Sequence, residues 1–104
     1  MNNNVFKPVR RAEVYYNDIL AGILLLNRGR YTFIYDLKYM YSSNPSIALD
    51  MPKRKRYFCS PYLFPFFQGL LPEGENKSFL CERLGISRSD KFTMLVKLAN
   101  HETI

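Results

Sequence analysis

Between Tyr31 and Tyr35 the side chains alternate strictly, with Tyr31, Phe33 and Tyr35 on one side and Thr32 and Ile34 on the other. A period of two belongs to a strand, whose successive side chains leave on opposite faces. Two similar runs precede it at hairpin distance. From Arg11, Val14 and Tyr16 alternate with Glu13 and Tyr15 as far as Asn17-Asp18, a turn pair. Ile19 to Leu26 forms the next strand, with Gly22 marking a bulge or a close backbone approach. Asn27-Arg28-Gly29-Arg30 then closes it in a polar turn. Parallel neighbours need a long crossover, so strands joined by turns this short form an antiparallel meander.

The second half changes period. Asp36 to Asn44 predicts a short helical turn, with Leu37, Met40 and Tyr41 at helical spacing and a stop before Pro45. Ser46 to Met51 predicts a short fourth strand, since Ile47, Leu49 and Met51 alternate. Lys53 to Pro61 reads as a basic loop, and Phe64 to Leu71 opens the helical half. Glu73 to Leu84 predicts a helix carrying Phe79, Leu80 and Leu84, ended by a left-handed cap at Gly85. Ser87 and Asp90 form a capping-box-like pair before a last helix, where Phe92, Leu95, Val96 and Ala99 make one apolar stripe. Met94 and Leu98 make a second stripe, which we read as a face that docks on something outside this chain. The expected fold is α+β: a small antiparallel sheet, a meander of three to five strands, followed by two or three helices packed on it. A flexible arm over 1–10 precedes one domain over 11–104.

Composition narrows the function classes. Aromatic residues make up 15% of the chain, more large rings than a small core hides, which points to a partner surface. The net charge is +6, but Lys53-Arg54-Lys55-Arg56 supplies four of those positives, so the chain is basic in one tetrad and not along a face. Cys59 and Cys81 have no metal or redox spacing and read as buried free thiols. The polar start and the absence of a long apolar run imply a cytoplasmic address with no membrane contact.

Enzyme readings fail for lack of parts. The single histidine, His101, stands near the end of the sequence, and the five glycines sit at turns and caps, forming no phosphate-cradling loop. No ligand set for a metal converges, and Glu73 and Glu75 are explained by a helix start, where acidic groups are favoured. We expect no catalytic residue, no metal and no cofactor. The run Lys53 to Phe58 mixes cations and rings as a single-strand binder would, but it is one run in one loop.

The most distinctive segment is Phe66-Phe67-Gln68-Gly69-Leu70-Leu71-Pro72-Glu73-Gly74-Glu75. It resembles the F-x-G-L-L-P-E-G signature of the N-terminal subdomain of HipA-type serine/threonine kinases. Val14-Tyr15-Tyr16-Asn17 with Ala21-Gly22-Ile23-Leu24 resembles that family's opening hairpin, and Gly29 to Asp36 its G-x-x-x-F-x-Y-D strand. Ile47 to Pro52 resembles its S-x-S-L-P strand, with Asp50 a departure. Arg83-Leu84-Gly85-Ile86-Ser87 and the helix after it complete the series. None of the family's catalytic positions has a counterpart here. A free-standing version of this subdomain is similar to the HipS-type antitoxins of tripartite HipBST systems, whose kinase, HipT, lacks the region and whose HipB binds DNA.

What the resemblance implies is an antitoxin-type protein that binds and inhibits a HipT-like kinase on its N-lobe near the ATP cleft, with a HipB-like protein in a ternary complex and no direct DNA binding. The expected partner contacts are Tyr62, Phe64, Phe66, Glu73, Met94 and Leu98, with Phe67, Leu70 and Leu71 assigned to the core. Lys53, Arg54, Lys55 and Arg56 are the candidates for a phosphate or acidic surface. A small nucleic-acid-binding module and a non-inhibitory structural subunit remain the alternatives.

Overall fold

The computed structural model describes residues 9–99. Residues 1–8 of the expected arm, and His101, lie outside the described residues; Arg10 already belongs to the first strand.

Strands β1 (Arg10–Tyr16), β2 (Ile19–Asn27) and β3 (Arg30–Tyr35) pair antiparallel in sequence order. Their turns are set by backbone sign. Asn17 and Asp18 have φ of 52° and 63°, and Arg28 and Gly29 have 52° and 78°. Two successive positive φ angles make the two-residue turn whose twist matches a hairpin. In the β1–β2 ladder Val14 faces Gly22 but Tyr15 faces Leu20, so Ala21 is one residue too many and forms a bulge. Gly22 is needed on a second count. A Cβ there would lie 2.2 Å from the Ile34 carbonyl oxygen and 2.8 Å from the Phe33 ring.

The fourth strand is not where the alternation of Ile47, Leu49 and Met51 placed it. Ser46 to Met51 is a loop with one bridge, Ala48 to Met51. The buried Tyr35 hydroxyl organises it, accepting from the Ile47 N–H at 3.0 Å and donating to the Met51 carbonyl. Ile47 and Met51 are thereby drawn into the core, while Leu49 stands fully in solvent. The sheet is completed by β4 (Tyr57–Ser60), from the segment that reads as basic loop, and its order is β1-β2-β3-β4.

The helices are short. Asp36 caps α1 (Leu37–Met40) by accepting from the Tyr39 N–H. Here the face differs from expectation: Tyr39 is buried, stacked parallel to Tyr35 with ring centroids 6.1 Å apart, and Leu37 and Tyr41 are exposed. Next, α2 (Pro65–Gln68) is a single turn with Pro at its start, and α3 (Gly74–Leu84) ends at Gly85 with φ of 67°, as expected. Along α3 Phe79 and Leu84 are exposed and Cys81 is the buried residue. Of the thiols, then, only Cys81 is buried; Cys59 is exposed.

The last helix, α4 (Lys91–Ala99), is capped by Asp90 and not by Ser87. The Asp90 carboxylate accepts from the Thr93 N–H at 3.1 Å, from the Thr93 hydroxyl at 2.7 Å and from Arg10 at 2.9 Å. Arg10 also bonds Thr93 and lies over the Phe92 ring, so the start of β1 is fastened to the start of α4. Partial burial works to raise the Asp90 pKa, but the bonds from Thr93 and Arg10 outweigh it and hold the carboxyl below its ordinary value.

One core runs from Ala12 to Leu95. Its sheet side is a row of directly paired residues, Ala12, Leu24, Phe33 and Phe58. Phe64, Phe67, Leu71, Cys81, Phe92, Met94 and Leu95 close over that row from the helical layer. The result is the expected two-layer α+β arrangement, a sheet with helices on one face.

Candidate interaction surface

The segment with the family-like signature sorts its own rings. A single helical turn at Pro65 carries Phe67 inward, and Phe64, three residues earlier, falls on the same side. Phe64 is therefore core, 7% exposed, and does not protrude as the sequence reading has it. Phe66 is half-buried, tilted against Tyr16 at 6.2 Å and set edge-on to Phe67 at 5.1 Å. Leu71 is buried, but Leu70 is half-exposed and leaves the core it was assigned to. Of the three rings expected at the contact, the one that stands out is Tyr62, 77% exposed, with exposed Pro61 before it. Below Tyr62 runs a groove of about 340 Å³ lined by Leu26, Tyr31, Leu63, Gln68 and Lys91. Glu73 is exposed just before α3.

On α4 the two expected contacts part. Met94 is wholly buried and belongs to the core; Leu98 is exposed. Phe92, Met94 and Leu95 all face inward, so this helix is central to the fold, and its second stripe is split between buried Met94 and exposed Leu98.

The basic tetrad is divided as well. Lys53 donates through Nζ to the Ser42 and Tyr39 carbonyls at 2.7 and 3.3 Å, and Arg56 donates through Nε to the Tyr35 carbonyl at 3.0 Å. Lys55 sits 5.3 Å from the Phe58 ring centre, and Arg54 is exposed. Two of the four cations thus tie β3 and the 39–46 segment to the start of β4.

A further surface was not anticipated. The outward face of the sheet presents Arg11, Leu25, Thr32 and Cys59 in one cross-strand row and Glu13, Ile23, Ile34 and Tyr57 in the next. Thr32 and Cys59 touch across it at 3.6 Å. Ile23, Leu25 and Ile34 are partly exposed and are not among the side chains that pack on the core. A signal for this existed. Ile19 to Leu26 is aliphatic on both of its faces, the pattern of a strand covered on both sides, and among the described residues only one side is covered.

The sequence profile of the "HipA N-terminal domain" family matches residues 12–103. The chain belongs to that family. A relative from Sinorhizobium fredii (strain NBRC 101917 / NGR234), named "Putative kinase Y4mE", is 29% identical over 92 residues. That match takes in 86% of this chain and 22% of the relative, so the HipA N-terminal domain is there one part of a much longer protein. Among the described residues no helix is long and apolar enough to cross a membrane, and no three His, Cys, Asp or Glu side chains gather as metal ligands.

Proposed function

We propose that this HipA N-terminal domain acts as an antitoxin of the HipS type, docking on a separate HipT-like serine/threonine kinase and restraining it, with a HipB-like DNA-binding protein in the same cytoplasmic complex. The observation that carries this reading is the match to a family whose relative, named as a kinase, is mostly a further body of chain. A domain of this kind has a kinase body as its natural neighbour, and its own surface offers exposed rings for grip. In this reading the chain catalyses nothing. Of the three rings expected to contact the partner, Tyr62 is the one left exposed, and in this reading it enters the kinase near its ATP cleft.

The test is co-purification of the two proteins, with kinase autophosphorylation measured with and without this chain. Inhibition that Tyr62→Ala weakens by about tenfold or more, as a central aromatic anchor would, supports the reading. Binding without any change in phosphotransfer would make the domain a structural subunit instead. The nucleic-acid alternative requires salt-sensitive retention lost when Lys53 to Arg56 are neutralised; the engagement of Lys53 and Arg56 with backbone carbonyls speaks against it.

A further inference from the structure

Tyr62 alone cannot hold such a complex. One aromatic side chain buries about 150–250 Å², whereas each side of a stable interface gives up about 800 Å². The outward face of the sheet brings several partly exposed aliphatic side chains together, and it has a definite charge. Ile23, Leu25 and Ile34 occupy its centre on β2 and β3, with Tyr57 at one side. Arg11 and Arg30 lie in its outward rows, and Arg56 reaches the Tyr57 ring at 5.4 Å. Among the described strands the only outward carboxylate is Glu13, which accepts from the Tyr15 hydroxyl at 3.4 Å. A greasy centre with Arg11 and Arg30 at its rim fits an apolar surface flanked by carboxylates.

We infer that the outward sheet face is the main docking surface of this domain, and that it takes an apolar, acid-flanked surface of the kinase. This rests on the kinase-binding reading and adds the surface and the chemistry of its counterpart. Aliphatic side chains in the central strands favour a protein occupant, because a single-stranded nucleic acid would want stacking rings there.

Cys59 lies on this face and is exposed, while Cys81 is 4% exposed, so the chain carries its own reporter and its own control. The experiment is iodoacetamide alkylation of the full chain, alone and in complex with the HipT-like kinase, followed peptide by peptide by mass spectrometry. Cys59 should react freely in the isolated chain and at least tenfold more slowly in the complex. Ile34→Asp, checked for an unchanged melting curve, should weaken kinase binding at least tenfold, and raising the salt should weaken the wild-type complex. Retained kinase with Cys59 still reacting at the free-chain rate would overturn this inference and leave the kinase-binding reading standing. No retention of kinase at all would overturn both. Protection of Cys59 in the isolated chain, whether by a second copy at high concentration or by its own residues, would overturn the inference, as would protection by a single-stranded oligonucleotide but not by kinase.

Discussion

Replacing Gly22 by alanine should damage this fold more than its size suggests. The added methyl would sit 2.2 Å from the Ile34 carbonyl oxygen and 2.8–2.9 Å from two carbons of the Phe33 ring. Ordinary contacts are about 3.5 Å or longer, so β2 and β3 must part by roughly 1 Å at this point. Neither neighbour can give way cheaply: the oxygen is backbone within a strand pair, and Phe33 is fully buried. Overpacking of this kind costs about 1–3 kcal/mol, and each ladder hydrogen bond stretched by the separation adds about 1 kcal/mol. The total is roughly 3–4 kcal/mol, a large share of the ~5–15 kcal/mol that holds a domain together. At about 4–8 °C per kcal/mol for a domain of this size, the melting temperature should fall by roughly 15 °C or more. Urea and thermal unfolding followed by circular dichroism measure both quantities. Gly29→Ala is the comparator: Gly29 has φ of +78° with no atom within 4 Å of the added carbon, so it bears only the left-handed backbone penalty of about 1–2 kcal/mol. Equal losses for the two variants, or a Gly22→Ala protein within about 1 kcal/mol of wild type, would refute the close-approach argument.

Two further outcomes follow from the polar contacts. Tyr35→Phe strands the buried Met51 carbonyl and Ile47 N–H together, and should cost about 2 kcal/mol in urea unfolding, with earlier proteolytic nicking between residues 45 and 52. Because the folded Asp90 carboxyl titrates below its ordinary value, its stabilising effect is complete above the unfolded value of about 3.9 and fades as pH falls through the folded one. Asp90→Ala should therefore cost about 1 kcal/mol or more at neutral pH through the lost cap, and the gap to wild type should close in strong acid; a gap that is unchanged at low pH would show that the carboxylate charge is not what matters.

The meander and the two longer helices were legible because local chemistry alone specifies them. Asn17-Asp18 and Arg28-Gly29 tolerate positive φ, Gly85 ends α3, and Tyr31 to Tyr35 alternate within one strand. What the sequence hid was decided at a distance. Ile47 and Met51 alternate convincingly with Leu49, yet a hydroxyl from β3 folds that stretch into a loop, and four residues after the basic tetrad take the strand position instead. The rings of Phe64 and Phe66 looked equivalent until a one-turn helix placed them on different sides. Met94 looked like a contact because its stripe differs from that of Phe92; with the helix central to the core, Met94 faces inward and only Leu98 of that stripe stays exposed.

In the proposed complex grip is shared between the sheet face and a separate anchor. Burying an Ile or Leu side chain completely is worth about 1.5–3 kcal/mol, and Ile23, Leu25 and Ile34 are already mostly covered, so closing the outward face over them gains at most roughly a third of that each, about 2 kcal/mol together. Micromolar affinity takes about 8 kcal/mol. The apolar centre is therefore not sufficient, and the remainder must come from charge pairing at Arg11 and Arg30 and from a separate anchor. Tyr62 is suited to that part because its ring is solvent-exposed and has a large apolar area left to bury on docking. A broad, weakly greasy sheet with an arginine rim would set the orientation, and the ring would reach the site where restraint is applied. Separating those two tasks lets the inhibitory ring remain exposed without having to carry the affinity.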